Sequence, residues 1–178
     1  VLSADPVSVL KYEEKKICSE YLALESSKQI YRNLGLPKTI DVLFYGNCEL
    51  PNRKSLINYL RENGIDVSVF GEDSTFLSQS ELVSAINQAK IVINFSNTSY
   101  LKREPAYRGL SPTLNQLKGR IIEVGLCGTA CISEYSPGIR LLFTRKEIIT
   151  FYTRQDCLDE IKRVLTNDKQ RAELASNL

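Results

Sequence analysis

The segment KGRIIEVGLCGTACISE, residues 118–134, holds a charged pair in otherwise apolar surroundings. Arg120 and Glu123 are the only charges between residues 119 and 133. On a helix, two side chains at this spacing project from the same side. A carboxylate suits the two hydroxyl donors of a ribose diol, and an arginine beside it either keeps it ionised or meets a phosphate. The alternative is an exposed helix salt bridge, worth only about 0.3–0.5 kcal/mol. Because arginine before glutamate is the less favourable order on a helix, helix stability alone explains the pair poorly.

A second group of candidates lies in YGNCELPNR, residues 45–53. Gly46 permits close backbone approach, Asn47 offers an amide for hydrogen bonds, and Arg53 stands near the start of the helix that follows. A helix N-terminus already attracts anions, so an arginine there opposes the helix dipole unless a negative ligand is bound. The alternative is a solvated arginine in the first helical turn. The segment is not a GxGxxG motif, and by itself it is only a weak phosphate signal.

These candidates fall within an alternation of apolar runs and amphipathic segments. The apolar runs predict strands buried on both faces of a sheet, and the helical spacing of apolar residues predicts helices between them. The predicted strands are 40–46, 66–71, 91–96, 129–133 and 147–152, and the predicted helices are 52–63, 78–90, 112–127, 153–167 and 168–178, with a loop at 97–110 and a turn with a helical piece at 134–143. This order predicts an α/β fold, a Rossmann-like doubly wound parallel sheet with helices on both faces.

In such a sheet, a ligand lies beyond the carboxyl ends of the strands, where the strand order switches. The residues that open the loops at this edge therefore become candidate ligand contacts. They are Gly46 and Asn47, Gly71, and Ser96 and Asn97.

Composition narrows the classes of partner. The formal net charge of +2, from 23 basic and 21 acidic residues spread along the chain, gives no broad face for nucleic acid. No apolar run approaches the roughly 20 residues that cross a bilayer, and residues 1–15 lack the order of a signal peptide. Five cysteines without small-scaffold spacing favour reduced thiols and a cytoplasmic location. Without histidine, a metal site would need scattered thiols and carboxylates, so no metal is expected.

Two further features limit what the chain does alone. Many general bases are histidines, so this chain uses another residue or holds only part of an active site. Residues 1–39 do not continue the strand and helix rhythm. They are expected to be a connecting segment from a preceding domain, a remnant of that domain, or an excursion packed beside the sheet. Nothing in them indicates chemistry.

A resemblance to a known family runs through three segments of the chain. They are IDVLFYGNCELPNRKSLINYLRENGIDVSVFG, then KIVINFS, then GRIIEVGLCGTACISEYSPGIRLLFTRKEIITFYTRQDCLDEIKRVLTNDKQRAELASN. In this order they cover residues 40–177 and resemble the C-terminal domain of GT-B glycosyltransferases. Within these they are most similar to the bacterial group-1 branch that includes spore-maturation glycosyltransferases. The resemblance is specific as a whole rather than through a single motif.

The resemblance implies that residues 40–178 form a nucleotide-sugar-binding domain. The family's strand, glycine and downstream arginine match Gly46 and Arg53, where the donor diphosphate is expected. Its arginine and glutamate before a small-residue turn match Arg120 and Glu123, which makes Glu123 the expected ribose ligand. The nucleotide diphosphate sugar is then a donor substrate, and no cofactor is implied.

One departure from the family pattern affects the expected chemistry. Many retaining relatives place another glutamate eight positions before the ribose glutamate, and Asn115 stands there in this sequence. Retaining or inverting stereochemistry therefore stays open. Family members usually carry acceptor contacts, and inverting ones their base, on an N-terminal domain that this chain lacks apart from residues 1–39. No complete active site, and no assigned catalytic residue, is expected here.

Two function hypotheses follow from these observations. The first is the donor-binding half of a glycosyltransferase, with an acceptor-binding domain outside the chain. The second is a non-catalytic nucleotide-binding or protein-interaction module, because a fold does not fix a function. A third, a receiver-like signalling domain, needs clustered acids at the first strand end, where Gly46 and Asn47 stand instead.

Overall fold

The computed structural model describes residues 1–23, 25–71, 76–97 and 115–178. Strands and helices alternate over most of these ranges. In chain order the elements are β1 (Leu2–Ser3), α1 (Pro6–Glu14), β2 (Glu20–Tyr21), β3 (Ile40–Tyr45), α2 (Pro51–Glu62), β4 (Val67–Phe70), α3 (Gln79–Gln88), β5 (Ala89–Asn94), α4 (Arg120–Leu126), β6 (Ala130–Glu134), α5 (Pro137–Leu142), β7 (Ile149–Phe151), α6 (Arg154–Leu165) and α7 (Asp168–Asn177).

Five of the strands form one parallel sheet in the order β4-β3-β5-β6-β7. Residues in register include Val42 with Val67, and Ile93 with Ile132. The chain first passes from β3 to β4 on one side, and then crosses to β5 on the other side of β3. The predicted Rossmann-like parallel sheet is confirmed, and its topological switch lies between β3 and β5.

Helices cover both faces of the sheet because successive side chains of a strand point to opposite sides. In β3, Val42 and Phe44 belong to the core that contains residues of α2 and α6. Leu43 and Tyr45 belong to the second core, together with residues of α3 and α4. All four side chains are buried. This two-sided burial explains why the strand is an almost continuous apolar run.

Capping boxes start α3 at Ser78 and α6 at Thr153. In contrast, α2 and α4 have no side-chain cap. The first helical residue of α2 is Pro51, whose lack of an N–H suits that position, and the N–H of Arg53 donates to the carbonyl of Leu50 at 2.9 Å. None of the helices that the structure describes combines the length and the apolarity that crossing a membrane requires. None of the five cysteines, all of which lie in the described ranges, forms a disulfide with another.

The predicted helix at 112–127 is wrong over residues 115–118, the part before α4 that the structure describes. The helix, α4, begins only at Arg120, and Gly119 is its N-cap residue. Before it, Asn115 forms a bridge with Asn97, and the N–H of Gln116 donates to the carbonyl of Ser96 at 2.9 Å. These residues bond to the end of β5 and so cannot donate within a helix. Residues 112–114 lie outside the described ranges, as do most residues of the predicted loop at 97–110.

Residues 1–39 pack beside the sheet in the part that the structure describes. The short parallel pair β1 and β2 accompanies α1, which lies against α5. The buried side chain of Asn87 in α3 accepts a hydrogen bond from the N–H of Leu34 at 2.6 Å and donates to the carbonyl of Arg32 at 3.0 Å. Tyr31 packs against the second core. Of the alternatives for residues 1–39, packing beside the sheet is seen in the structure. The domain boundary at residue 40 stays a prediction.

Candidate functional site

The candidate residues meet at the carboxyl edge of the sheet, above the switch between β3 and β5. The uncapped start of α2 and the start of α4 lie at this edge, because each follows a loop that leaves a strand there. A cavity of about 380 Å³ opens between them. Its polar lining consists of Tyr31, Tyr45, Arg53, Lys118, Arg120 and Glu123.

Arg53 is buried, although it stands in the first turn of α2. Its side chain donates to the carbonyl of Asn47 at 2.7 Å and to that of Asn97 at 3.2 Å, and the guanidinium carbon lies 5.6 Å from the ring centroid of Phe95. Its Nε has no hydrogen-bond partner among the described residues. Burial lowers the pKa of Arg53, and the charge of Arg120 lowers it further. With only 7% of its surface exposed, Arg53 is not the solvated arginine of the alternative interpretation.

Arg120 lies in the first turn of α4 and reaches back over the end of β3. Its Nη1 donates to Oδ1 of Asn94 at 3.2 Å, and its guanidinium carbon lies 4.5 Å from the ring centroid of Tyr45. Gly46 makes room for it, since a β-carbon there would lie 2.7 Å from Nη2 of Arg120. Gly46 also has a φ of +123°, which favours glycine. The close approach predicted at Gly46 is thus made by the protein's own arginine.

Glu123 lies on the same helix and is held by Tyr45. The hydroxyl of Tyr45 donates to Oε2 of Glu123 at 2.8 Å. Burial raises the pKa of Tyr45, and although the charge of Arg120 lowers it, Glu123 raises it again, so the hydroxyl stays a donor at neutral pH. Arg120 bonds to Asn94 instead of Glu123. The two charges therefore have separate partners, which is different from the helix salt bridge of the alternative interpretation.

Lys118 is a third cation in the cavity, and the sequence analysis missed it. Burial lowers the pKa of Lys118, and the charges of Arg53 and Arg120 lower it further. The triplet KGR at 118–120 places Lys118 close to Arg120 in the sequence. Because residues two apart on a helix do not face each other, the predicted helix gave no reason to group them. Because the backbone before Gly119 is not helical, Lys118 and Arg120 reach the same cavity.

Tyr31 corrects the expectation that residues 1–39 carry no chemistry. It lines the cavity and packs against the core under α3 and α4. Burial raises the pKa of Tyr31, and the nearby carboxylate of Glu123 raises it further. Two tyrosine hydroxyls, from Tyr31 and Tyr45, therefore border Glu123.

A buried polar group under the cavity fixes Arg120. Asn94, at the end of β5, is fully buried. Its Oδ1 accepts from Arg120, and its Nδ2 donates to Oγ of Ser133 at 2.8 Å. Two neighbouring strands thereby set the position of the guanidinium.

Ser96 and Asn97, two of the candidate ligand contacts, bond to the end of β6. Ser96 is fully buried, and its hydroxyl donates to the carbonyl of Glu134 at 2.7 Å. The backbone N–H of Asn97 donates to Oε2 of Glu134 at 2.9 Å, while its carbonyl accepts from Arg53. Both residues link β5 to the end of β6.

An apolar pocket of about 540 Å³ adjoins the cavity where β3 and β4 end. Tyr45 and Leu82 line both spaces. Gly71 lines the pocket with a φ of +98°, and a β-carbon there would lie 2.8 Å from the carbonyl oxygen of Gly46. The two glycines thus let the ends of β3 and β4 approach closely. The other apolar lining residues are Phe70, Phe76 and Leu77.

Asn47 stands at the rim of this pocket with an exposed side chain. Its side-chain oxygen accepts from the backbone N–H of Glu49 at 2.9 Å, and its carbonyl accepts from Arg53. Its polar groups therefore shape the turn that holds Arg53.

This geometry suits a ligand with three different parts. Three cations favour an anion with several oxygens, for which arginine is the best-matched side chain. The carboxylate of Glu123 suits hydroxyl donors, and the apolar pocket suits a flat ring. A phosphorylated molecule that carries hydroxyl groups and a ring meets all three requirements.

The family follows from a match over most of the chain. Residues 53–178 match the family described as glycosyl transferase-like. The chain belongs to this family. The matched range includes Arg53, Lys118, Arg120 and Glu123. It does not include β3 or Gly46, which precede residue 53. None of the curated proteins matches this glycosyl transferase-like chain.

Solved structures share the fold of this glycosyl transferase-like protein. HepE of Anabaena, in complex with UDP-glucose, is 14% identical at a TM-score of 0.70, over 99% of this chain and 57% of that chain. Sucrose-phosphate synthase of Thermosynechococcus elongatus is 13% identical at a TM-score of 0.67, over 99% and 51%. The C-terminal domain of a group 1 glycosyl transferase from Francisella tularensis is 10% identical at 0.56, over 86% and 94%. The shared fold is the predicted Rossmann-like parallel sheet with helices on both faces, and the chain spans about half the length of the first two proteins.

Proposed function

We propose that this chain is the donor-binding half of a glycosyltransferase, which transfers a sugar from a nucleotide diphosphate sugar to an acceptor. The observation that carries the proposal is the convergence of Arg53, Lys118 and Arg120 on one cavity that also presents Glu123. Cations this close repel one another, as the lowered pKa values of Arg53 and Lys118 reflect. An anionic ligand relieves that repulsion, and a diphosphate supplies enough oxygens for three cations.

The diphosphate lies between the starts of α2 and α4 in this proposal. Arg53 and Arg120 each have a buried Nε without a partner in the described part of the chain. When the sugar leaves, negative charge develops on the diphosphate, and positioned cations stabilise it without reorganisation. Side chains thereby supply the positive charge, and the proposal needs no metal ion or cofactor.

The nucleoside is placed by the rest of the site. Glu123 accepts hydrogen bonds from the ribose diol while Tyr45 holds its other oxygen, since that hydroxyl donates to Oε2 at 2.8 Å. The base enters the adjoining apolar pocket beside Phe70 and Phe76. Base, ribose and diphosphate then follow one another along the carboxyl edge of the sheet.

Family membership and fold support this placement, and one relative of the same fold was solved with UDP-glucose. The finer parts of the proposal are a hexose as the transferred sugar and an acceptor-binding domain outside residues 1–178. They also include a division of the chain near residue 40, a cytoplasmic location, and kinship with the bacterial spore-maturation branch.

A thermal-shift panel of UDP, GDP, ADP and dTDP, each with and without its sugar, tests the proposal. A ligand present at a hundred times its Kd should raise the Tm of a chain of this size by about 5–10 °C. We expect one nucleotide to give this shift. If none of the nucleotides raises the Tm, the proposed donor site is wrong.

Glu123→Gln tests the ribose contact separately. A neutral amide accepts more weakly than a carboxylate, so the variant should bind the preferred ribonucleotide about tenfold more weakly by calorimetry. It should lose less affinity for the 2′-deoxy form. Equal losses for both forms would show that Glu123 does not contact the diol.

The second candidate is a nucleotide-binding module that performs no transfer. The absence of histidine from the whole sequence favours keeping it, because the commonest general base is missing. It predicts the same thermal shifts but no sugar transfer by the full-length protein. Release of nucleoside diphosphate that depends on an acceptor would exclude it.

A further inference from the structure

Glu134, the last residue of β6, is a carboxylate that has no ligand contact in the donor site proposed above. Its Oε2 accepts from the backbone N–H of Asn97 at 2.9 Å, and the side chain is half-buried. No hydrogen bond to its Oε1 is present among the described residues. Its charge counteracts the lowering of the pKa of both Arg53 and Lys118. Glu134 is therefore a carboxylate at the border of the cation cluster, and its Oε1 can accept a further hydrogen bond.

Two amide side chains, those of Asn97 and Asn115, lie near this carboxylate. Asn97 donates from its side chain to Oδ1 of Asn115 at 3.4 Å. Asn115 in turn donates to the carbonyl of Tyr135, the residue after Glu134, at 2.8 Å. Carboxylate and amide groups together are acceptors and donors that match hydroxyl groups. Like Glu123, this corner therefore suits hydroxyl groups, whereas Arg53, Lys118 and Arg120 suit an anion.

The strand order determines where the corner lies along a bound ligand. From one edge inward, the sheet runs β4, β3, β5, β6, and neighbouring strands are separated by about 4.8 Å. The apolar pocket lies at the ends of β4 and β3, and Arg120 is fixed by Asn94 at the end of β5. Glu134 ends β6, so it lies about 14 Å from Gly71, which follows β4. A ligand that begins with a base at β4 and has its phosphates near β5 carries its next group over β6.

The chemistry of a carboxylate restricts what that group is. A carboxylate repels a phosphate and accepts hydrogen bonds from neutral hydroxyls. We propose that Glu134 determines specificity for the transferred sugar by accepting hydrogen bonds from its hydroxyl groups, with Asn97 and Asn115 beside it. This inference rests on the proposed donor site, and it assigns the sugar end that the cations and Glu123 leave open.

Calorimetry with two matched ligand pairs, UDP with UDP-glucose and GDP with GDP-fucose, tests the inference. We expect the wild type to bind the sugar nucleotide of its preferred pair about tenfold more tightly than the diphosphate. Glu134→Gln should abolish that preference, while its affinity for the diphosphate stays the same or increases, because a negative charge has been removed. Gln keeps an oxygen for the N–H of Asn97, so the fold should survive. Glu134→Asp, which keeps the charge on a shorter side chain, should recover part of the preference.

Glu62→Gln is the matched control, since Glu62 is an exposed glutamate at the far end of α2. It should change neither affinity. If Glu134→Gln weakens both members of the pair equally, Glu134 is only a brace for Asn97 and the inference is overturned. A wild type that binds diphosphate and sugar nucleotide equally also overturns it, and leaves the donor site standing. If the wild type binds neither pair, the ADP and dTDP pairs are measured in the same way, and binding of none of the four pairs removes the donor site and the inference together.

Discussion

Each of the two edges of the sheet holds three cations beside a cavity, but the cations at the two edges have different partners. The cavity at the carboxyl edge has about 380 Å³ and the one at the amino edge about 410 Å³. The cations are Arg53, Lys118 and Arg120 at the carboxyl edge, and Lys38, Lys90 and Arg171 at the amino edge. Size and charge alone would not tell the two apart.

At the amino edge the protein supplies its own partners. Lys90 pairs with Asp41 at 2.6 Å, and Arg171 pairs with Asp168 at 2.6 Å. Arg171 also donates to two carbonyls at the end of α6, where the helix dipole favours a cation. Lys38 donates to the hydroxyl of Thr129 at 2.8 Å. Two of these three cations therefore have a carboxylate partner, and the third donates to a hydroxyl.

At the carboxyl edge the cations stand where helices begin, which is the wrong end for their charge. In the described part of the chain, none of the side-chain ion pairs within 4.0 Å includes Arg53, Lys118 or Arg120. The comparison teaches that a binding site is recognised by charge that the fold leaves unneutralised, rather than by the number of charges.

Replacing one arginine at each edge should give the largest difference. Arg120→Gln removes a charged hydrogen bond to the diphosphate, so affinity for the preferred nucleoside diphosphate should fall about 10- to 100-fold by calorimetry. Arg171→Gln should leave that affinity within about twofold, yet reduce the free energy of unfolding by about 1–2 kcal/mol in urea denaturation. Similar losses of affinity in the two variants would show that the edges do not differ as described.

Two glycine substitutions separate a clash in the site from backbone strain. Gly46 and Gly64 both have positive φ, at +123° and +82°. A β-carbon at Gly46 meets Nη2 of Arg120 at 2.7 Å, whereas at Gly64 nothing lies within 4 Å. Each change to alanine should cost about 1–3 kcal/mol of stability. Only Gly46→Ala should also weaken diphosphate binding, by about tenfold, because Arg120 must move. Unchanged affinity in Gly46→Ala would mean that Arg120 does not hold the phosphate.

The smallest effect concerns the pH dependence of the amino edge. Burial, with a smaller contribution from the charge of Arg171, lowers the pKa of Lys38 to about 8 from its ordinary value of 10.5. Between pH 8 and 10.5 the unfolded chain therefore holds more protons at this site, so its contribution to stability rises with pH. Compared with Lys38→Met, the wild type should gain less than about 1 kcal/mol over this range, since solvent screens the charge. Denaturation at pH 7.5, 9 and 10 measures the difference, and a gap that is constant or narrows would contradict the shift.

Much of the fold could be predicted because its signals are local. The strand at 40–46 is a nearly continuous apolar run, and the helix at 52–63 places Leu56, Ile57 and Leu60 on one side, where all three are buried. Parallel strands separated by helices then bring Gly46, Arg53 and Glu123 to one edge. Residue type and spacing were sufficient for this step, because side-chain burial follows the period of the backbone.

The details of the site depended on contacts between distant segments. Only the tertiary structure buries Arg53 against Phe95 and Asn97, uses Gly46 to admit Arg120, and brings Tyr31 beside Glu123. It also makes the predicted helix begin only at Arg120, because Asn115 pairs with Asn97, which stands 18 residues earlier in the chain. Local periodicity carries no information on such pairings. The sequence by itself determined the layers and the sheet edge where the candidate residues lie, whereas tertiary packing decided which charges at that edge stay without an opposite charge, because neutralisation depends on neighbours far away in the chain.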